Sequence, residues 1–228
     1  MKQFVESHEV VVTTSRYAAM KMGISAIVIP HYVERFLLEM EPRNRIFDVA
    51  TVISGVGERH IIRKGTDIIK NVASVTKDLL YVTSESSPLE GDNVVRLNDT
   101  GKRVDIFRML LMSKVLLWPS RSEGFGLPVL EAMAAGAVPV CSDAPAHNEF
   151  CEGVKIQTKY VGSVVTHPNM PYYRVDWYDS CWEDYIKGIH YALEHWEELS
   201  ERARKRVIDE YSEEVICKKW IDLINSLI

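Results

Sequence analysis

Pro119-Ser120-Arg121-Ser122-Glu123-Gly124-Phe125-Gly126-Leu127-Pro128-Val129-Leu130-Glu131-Ala132-Met133-Ala134-Ala135-Gly136 stands between two apolar runs, Val115 to Trp118 and Val138 to Cys141. Strand, glycine-containing turn, helix and strand in that order describe one crossover unit of a parallel sheet. Gly124 and Gly126 allow close approach of the backbone to a ligand, and Pro128 suits a first helical position. A helix opening there offers unpaired N–H groups and a positive dipole end to an anion. Glu123 and Glu131 flank the turn as hydrogen-bond acceptors. Taken alone, the stretch also has a purely structural explanation: a tight turn and a buried helix whose early carboxylate offsets the dipole.

Working outward, further short runs read as strands: Val10 to Thr13, Ala26 to Ile29, Val49 to Ser54, Leu79 to Thr83 and Val94 to Leu97. Most are continuously apolar, as expected of strands covered on both faces. Between them, Thr66 to Val75 sets Ile68, Ile69, Val72 and Val75 on one helical face. From Trp182 onward the pattern is helical. Trp182, Ile186, Ile189, Leu193 and Trp196 form one expected packing face, and Ile216, Trp220, Leu223 and Leu227 another. The polar stretch Glu41-Pro42-Arg43-Asn44-Arg45 reads as a linker. These elements predict an α/β protein: a Rossmann-like parallel sheet with helices on both faces and a helical C-terminus. The expected division is a short N-terminal portion, 1–45, and a main domain, 46–228.

A second block follows the third strand: Ser54-Gly55-Val56-Gly57-Glu58-Arg59-His60-Ile61-Ile62-Arg63-Lys64-Gly65. It is no Walker loop, and Gly55-x-Gly57 lacks the third glycine of a dinucleotide fingerprint. Arg59 and Lys64 are either solvated loop charges or a local anion site. Arg63 is an extra cation that could substitute for Arg59.

The spacing Glu123-Gly-Phe-Gly-Leu-Pro-Val-Leu-Glu131, followed by Ala-Met-Ala-Ala-Gly, resembles the E-x7-E signature of retaining glycosyltransferases of the GT-B type. The resemblance extends to the glycine-rich loop at Gly55 and Gly57, to Arg59 and to Lys64, and maps the chain onto the donor-binding lobe of a two-lobed enzyme. It implies transfer of a sugar (the hexosyltransferase class, EC 2.4) from a nucleotide-sugar donor to an acceptor with retention of configuration. It further implies that Glu123 contacts the donor sugar near the reacting centre and that Glu131 holds the ribose hydroxyls. Backbone N–H groups around Gly124, Phe125, Gly126 and Leu127 would bind sugar and pyrophosphate. Arg59 and Lys64 would stabilise the departing diphosphate, and Leu97 and Asn98 would meet the base. Since most of an acceptor lobe is missing, the resemblance implies that a partner subunit, a second copy or the acceptor itself supplies the other wall of the cleft. Two other readings share these residues: a nucleotide-sugar-binding module with little transfer activity, and a nucleotide-sugar epimerase on the same scaffold.

Other properties narrow the classes. A net charge of −5 gives no general attraction to nucleic acid or anionic lipid. The polar start and the lack of a long apolar run lead to the expectation of a cytoplasmic protein, with peripheral membrane association if the acceptor is a lipid. Cys141, Cys151, Cys181 and Cys217 form no C-x-x-C pair and read as reduced thiols, mostly in the core. The histidines show no ligand spacing, so neither a metal nor a cofactor is expected beyond the donor itself.

Overall fold

The computed structural model describes residues 10–41, 44–53, 62–98, 102–144, 146–165 and 174–228. Near the start, β1 (Val12–Thr13) and β2 (Ile27–Val28) pair in parallel as a separate two-stranded sheet. The centre is built from β3 (Phe47–Thr51), β4 (Tyr81–Ser84), β5 (Val94–Leu97), β6 (Ser113–Trp118), β7 (Val138–Ser142) and β8 (Val154–Ile156). These make a six-stranded sheet in the order β5-β4-β3-β6-β7-β8. Every neighbouring pair in it is parallel. An antiparallel ribbon, β9 (Lys159–Val165) with β10 (Arg174–Asp179), stands apart from it.

The helices are α1 (Arg16–Met22), α2 (Arg35–Leu38), α3 (Thr66–Val75), α4 (Arg103–Leu111), α5 (Leu127–Ala135), α6 (Trp182–Glu194), α7 (Trp196–Tyr211) and α8 (Glu213–Leu227). Strand alternation divides the core between the two faces of the sheet. On β6, Val115 and Leu117 join Ile68, Ile69 and Val72 of α3 and Tyr185 and Ile189 of α6. Leu116 and Trp118 point the other way, into Phe107 and Leu110 of α4, Val129 and Met133 of α5, and Val207 of α7. Strands buried on both faces explain the unbroken apolar runs.

Helix α5 is buried from Val129 to Ala135, so its end carbonyls need internal partners. They have them. Arg204 donates to Ala134 O, Arg45 Nη2 to Ala135 O at 2.6 Å, and Ser200 Oγ to Gly136 O at 2.7 Å. Arg45 also donates to Leu110 O at 3.2 Å and to Ser113 O, and it lies 5.0 Å from the Trp196 ring. The residue expected in a linker is therefore a clamp between the C-terminal ends of α4 and α5. Arg45→Ala is expected to lower stability by about 3 kcal/mol, because several buried carbonyls lose a charged donor. Thermal unfolding would show this as a drop of roughly 6–12 °C for a chain of this size.

Three expectations are corrected. The face from Trp182 to Trp196 does pack on the sheet, but the helix breaks at His195, giving α6 and α7. On α8 only Ile216 is buried, while Trp220 is 41% and Leu227 58% exposed. Periodicity marks an apolar face without saying whether anything covers it. Cys181 and Cys217 are exposed; only Cys141 and Cys151 lie in the core.

Candidate active site

The C-terminal ends of β3 and β6 meet the starts of α3 and α5, the position where open parallel sheets bind ligands. Gly65, just ahead of α3, has left-handed backbone (φ 72°), and an added Cβ would stand 2.2 Å from Pro119 O. Only glycine permits both. This close approach sets Lys64 against the segment that follows β6. Lys64 Nζ donates to Glu123 Oε1 at 2.5 Å and lies 4.6 Å from the Trp118 ring centroid. Ser120 Oγ donates to the same carboxylate oxygen at 2.7 Å.

The Lys64 and Glu123 side chains are only 12% and 8% exposed. Burial pushes the Glu123 carboxyl up, but Lys64 and Ser120 more than offset it and hold it below its ordinary value. Burial is also the largest influence on Lys64, drawing its ammonium below the usual lysine range against the pull of Glu123. A carboxylate depressed in the fold contributes stability above its unfolded pKa, and that contribution is lost as pH falls through the folded pKa. Below pH about 4.5, the ordinary value for glutamate, the pair should therefore weaken.

Two arginines brace the turn. Arg121 forms a two-point contact with Asp67 at 2.6 and 2.7 Å and donates from Nε to Asp179 Oδ1 at 3.0 Å. Arg63 Nη1 donates to Ser122 O at 2.6 Å, and Arg63 O accepts from Arg121 N at 2.8 Å. The cation considered as a substitute for Arg59 thus holds the turn's shape.

Glu131, on α5, is 5% exposed and paired with Arg103 Nε from the start of α4. Arg103 Nη1 bridges onward to Glu34. Burial raises the Glu131 pKa above its ordinary value, with Arg103 opposing the rise. The two glutamates are therefore shifted in opposite directions by their surroundings.

The first turn of α5 starts at Gly126, left-handed at φ 99°, where a Cβ would stand 2.8 Å from the Cβ of His147. His147 is fully buried, with Nε2 2.7 Å from Ser142 O. Burial lowers its pKa, which favours the neutral ring. Phe125 stacks on Phe150 with centroids 4.6 Å apart and meets His31 edge-on at 4.9 Å. Nothing lies within 4 Å of a Cβ built on Gly124, so the turn is open there. Pro128 has no N–H and the Val129 N–H bonds to Gly126 O at 3.0 Å, so the N–H groups of Gly126 and Leu127 are the ones at this helix opening that, beside Lys64, form a corner suited to an anion.

The structure thus gathers Glu123, Gly124, Phe125, Gly126, Leu127 and Glu131 on one turn and helix, with Lys64 beside Glu123. Leu97 and Asn98 line a cleft of about 260 Å³ with Ser84, Ile106 and Met109, which none of Lys64, Glu123 or Glu131 lines. Gly55, Gly57 and Arg59 lie outside the described residues. Among the described residues, no cluster of His, Cys, Asp or Glu is suited to hold a metal ion. Sequence reasoning missed Ser120, Arg103 and Glu34. Only Ser120 had a local signal, being three residues before Glu123.

Residues 84–165, which include the whole turn and α5, match the family described as glycosyl transferases group 1. That stretch of the chain is similar in sequence to the group 1 glycosyl transferases. Over 96% of its length it is 29% identical to the glycosyltransferase-like protein ORF330 of Acidianus filamentous virus 2, of which it covers 69%. A 110-residue stretch is 34% identical to the glycosyltransferase-like protein 41 of Sulfolobus islandicus filamentous virus, covering 44% of this chain and 31% of that protein. Among solved structures, the sucrose-phosphate synthase of Thermosynechococcus elongatus superposes with TM-score 0.70 at 18% identity, over 99% of this chain and 60% of that one. TarM of S. aureus superposes with TM-score 0.69 at 17% identity, over 98% of this chain and 45% of that one. The pneumococcal O-GlcNAc transferase GtfA does so with TM-score 0.68 at 14% identity, over 99% and 46%. The chain therefore spans about half the length of these solved proteins. The fold, a parallel sheet with helices on both faces, matches that of the superposed part of these GT-B glycosyltransferases. No helix among the described residues is long and apolar enough to cross a membrane.

Proposed function

We propose that this chain moves a sugar from a nucleotide-sugar donor to an acceptor with retention of configuration and without a metal ion. The observation that carries the reading is the buried Lys64–Glu123 pair beside the opening turn of α5. A cation, a carboxylate and a helix N-terminus converge there, matching a sugar joined to a diphosphate. The solved complexes of TarM and GtfA contain UDP, which supports a nucleoside diphosphate as the leaving group.

In this reading the diphosphate lies on the N–H groups of Gly126 and Leu127 and on Lys64, with Arg59, Gly55 and Gly57 completing the cradle. Lys64 meets charge that grows as the bond from the anomeric carbon to phosphate oxygen breaks. Glu123 faces the donor sugar, Glu131 accepts from the ribose hydroxyls, and Leu97 and Asn98 border the base. The acceptor hydroxyl forms the new bond to the anomeric carbon from the leaving group's side, and its proton passes to the departing phosphate oxygen. Electrostatic stabilisation by fixed protein groups does the work of a metal in this scheme.

Proton NMR of the first-formed product tests the reaction. An α-linked donor should give an α-linked product, at the same rate with and without EDTA. A β-linked product would overturn retention, and a rate abolished by EDTA would overturn metal independence. Arg103 supplies a further test, because it opposes the upward shift that burial imposes on Glu131. Arg103→Gln should move the acid limb of the donor-binding profile to higher pH, since a protonated Glu131 is a poorer acceptor for ribose hydroxyls. Donor affinity measured calorimetrically across the acid range would show it, and an unmoved limb would detach Arg103 from that role.

A further inference from the structure

The segment joining β7 to β8 holds two elements of the site in place, and a cysteine stands at each end of it. Cys141 is on β7, and Cys151 follows the 3-10 turn His147–Glu149. Both residues are buried, with relative exposures of 0% and 2%, and their Sγ atoms are 3.0 Å apart. That separation is only about 1 Å longer than the S–S bond. The cysteines face each other across a core shared with Phe150, Met133 and Trp118, and no metal-binding cluster of the described residues includes them.

We infer that Cys141 and Cys151 form an intrachain disulfide that fixes the segment between them. The bond is made by exchange with a low-molecular-weight disulfide. One cysteine thiolate attacks a sulfur of the oxidant and expels the first small thiol. The second thiolate then attacks the resulting mixed disulfide and expels the other, so that the two cysteine protons end on two small thiols and the oxidant is reduced. The Cys141 thiol is pushed well up by its contact with Cys151 and by burial, which leaves little thiolate in the folded protein. The exchange therefore takes place while the chain is folding or locally open.

The bond bears on the site through the residues it encloses. His147 packs beneath Gly126 at the opening of α5, so that segment forms the floor of the anion-binding corner. Glu149 accepts from the backbone N–H groups of Arg16 at 3.1 Å and Tyr17 at 2.8 Å, holding the start of α1. Closing the loop restrains the unfolded chain and fixes both contacts in one step.

The test uses the full chain carrying Cys181→Ser and Cys217→Ser, two exposed positions whose loss leaves the buried pair as the only thiols. The protein is refolded from denaturant with oxidised and reduced glutathione, then denatured again and alkylated with iodoacetamide. The expected result is no alkylation, a single cross-linked peptide pair joining Cys141 to Cys151, and a Tm roughly 5–10 °C above that of the dithiothreitol-treated protein. Alkylation at both cysteines, or glutathione retained on either, would overturn the inference.

Discussion

Replacing Lys64 with methionine is expected to lower kcat/KM by about 10²–10³, the scale for removing one preorganised charge from a transition state. The same change should destabilise the fold by about 3 kcal/mol, because Glu123 is left buried without its cation. The two effects separate in the double variant. Adding Glu123→Gln removes the stranded charge and should restore most of the lost Tm, but it cannot restore a cation to the leaving group. Activity should stay low. Recovery of both stability and turnover in Lys64→Met/Glu123→Gln would mean that the pair serves only to hold the turn. A steady-state assay beside thermal unfolding of the wild-type protein and the two variants makes the distinction.

Glu131→Ala is expected to weaken donor binding by about 10–100-fold, the loss of a charged acceptor shared by two hydroxyls. Its structural cost should be smaller than that of Lys64→Met. Arg103 keeps Glu34 as a partner when Glu131 is gone, so the change does not strand a buried charge. Calorimetric titration with nucleoside diphosphate alone isolates the contact, because the sugar is absent. An unchanged Kd would remove Glu131 from the ribose site and leave it as a brace between α4 and α5.

Residues 119–136 were legible because each physical device in them is local. Gly126 provides the left-handed residue, Pro128 the helix start, and a continuous apolar run the buried helix. Five of the six strands of the central sheet were legible for a similar reason, as short β-branched runs, whereas the short edge strand β8 (Val154–Ile156) was not. What escaped depends on residues distant in the chain. Arg103 reaches Glu131 only because α4 and α5 lie side by side on one face of the sheet, and nothing around Arg103 marks it as a partner. Arg45 looked like part of a polar linker because hydrogen bonds to helix-end carbonyls leave no trace in local composition. The ribbon of β9 and β10 lacks clean alternation, being interrupted by a bulge between Trp177 and Tyr178 and anchored to the turn through Arg121 and Asp179. On α8 the expected packing face is buried only at Ile216, because periodicity marks an apolar face without supplying anything to cover it.

The most direct test of the donor site is thermal unfolding of the purified chain with UDP-, GDP- and ADP-sugars, run beside Glu131→Ala. One nucleotide class should raise the Tm of the wild-type protein in proportion to the logarithm of its concentration, and the shift should largely disappear in the variant. No shift with any donor at millimolar concentration, or an equal shift in both proteins, would contradict a nucleotide-sugar site built on Glu123, Glu131 and Lys64.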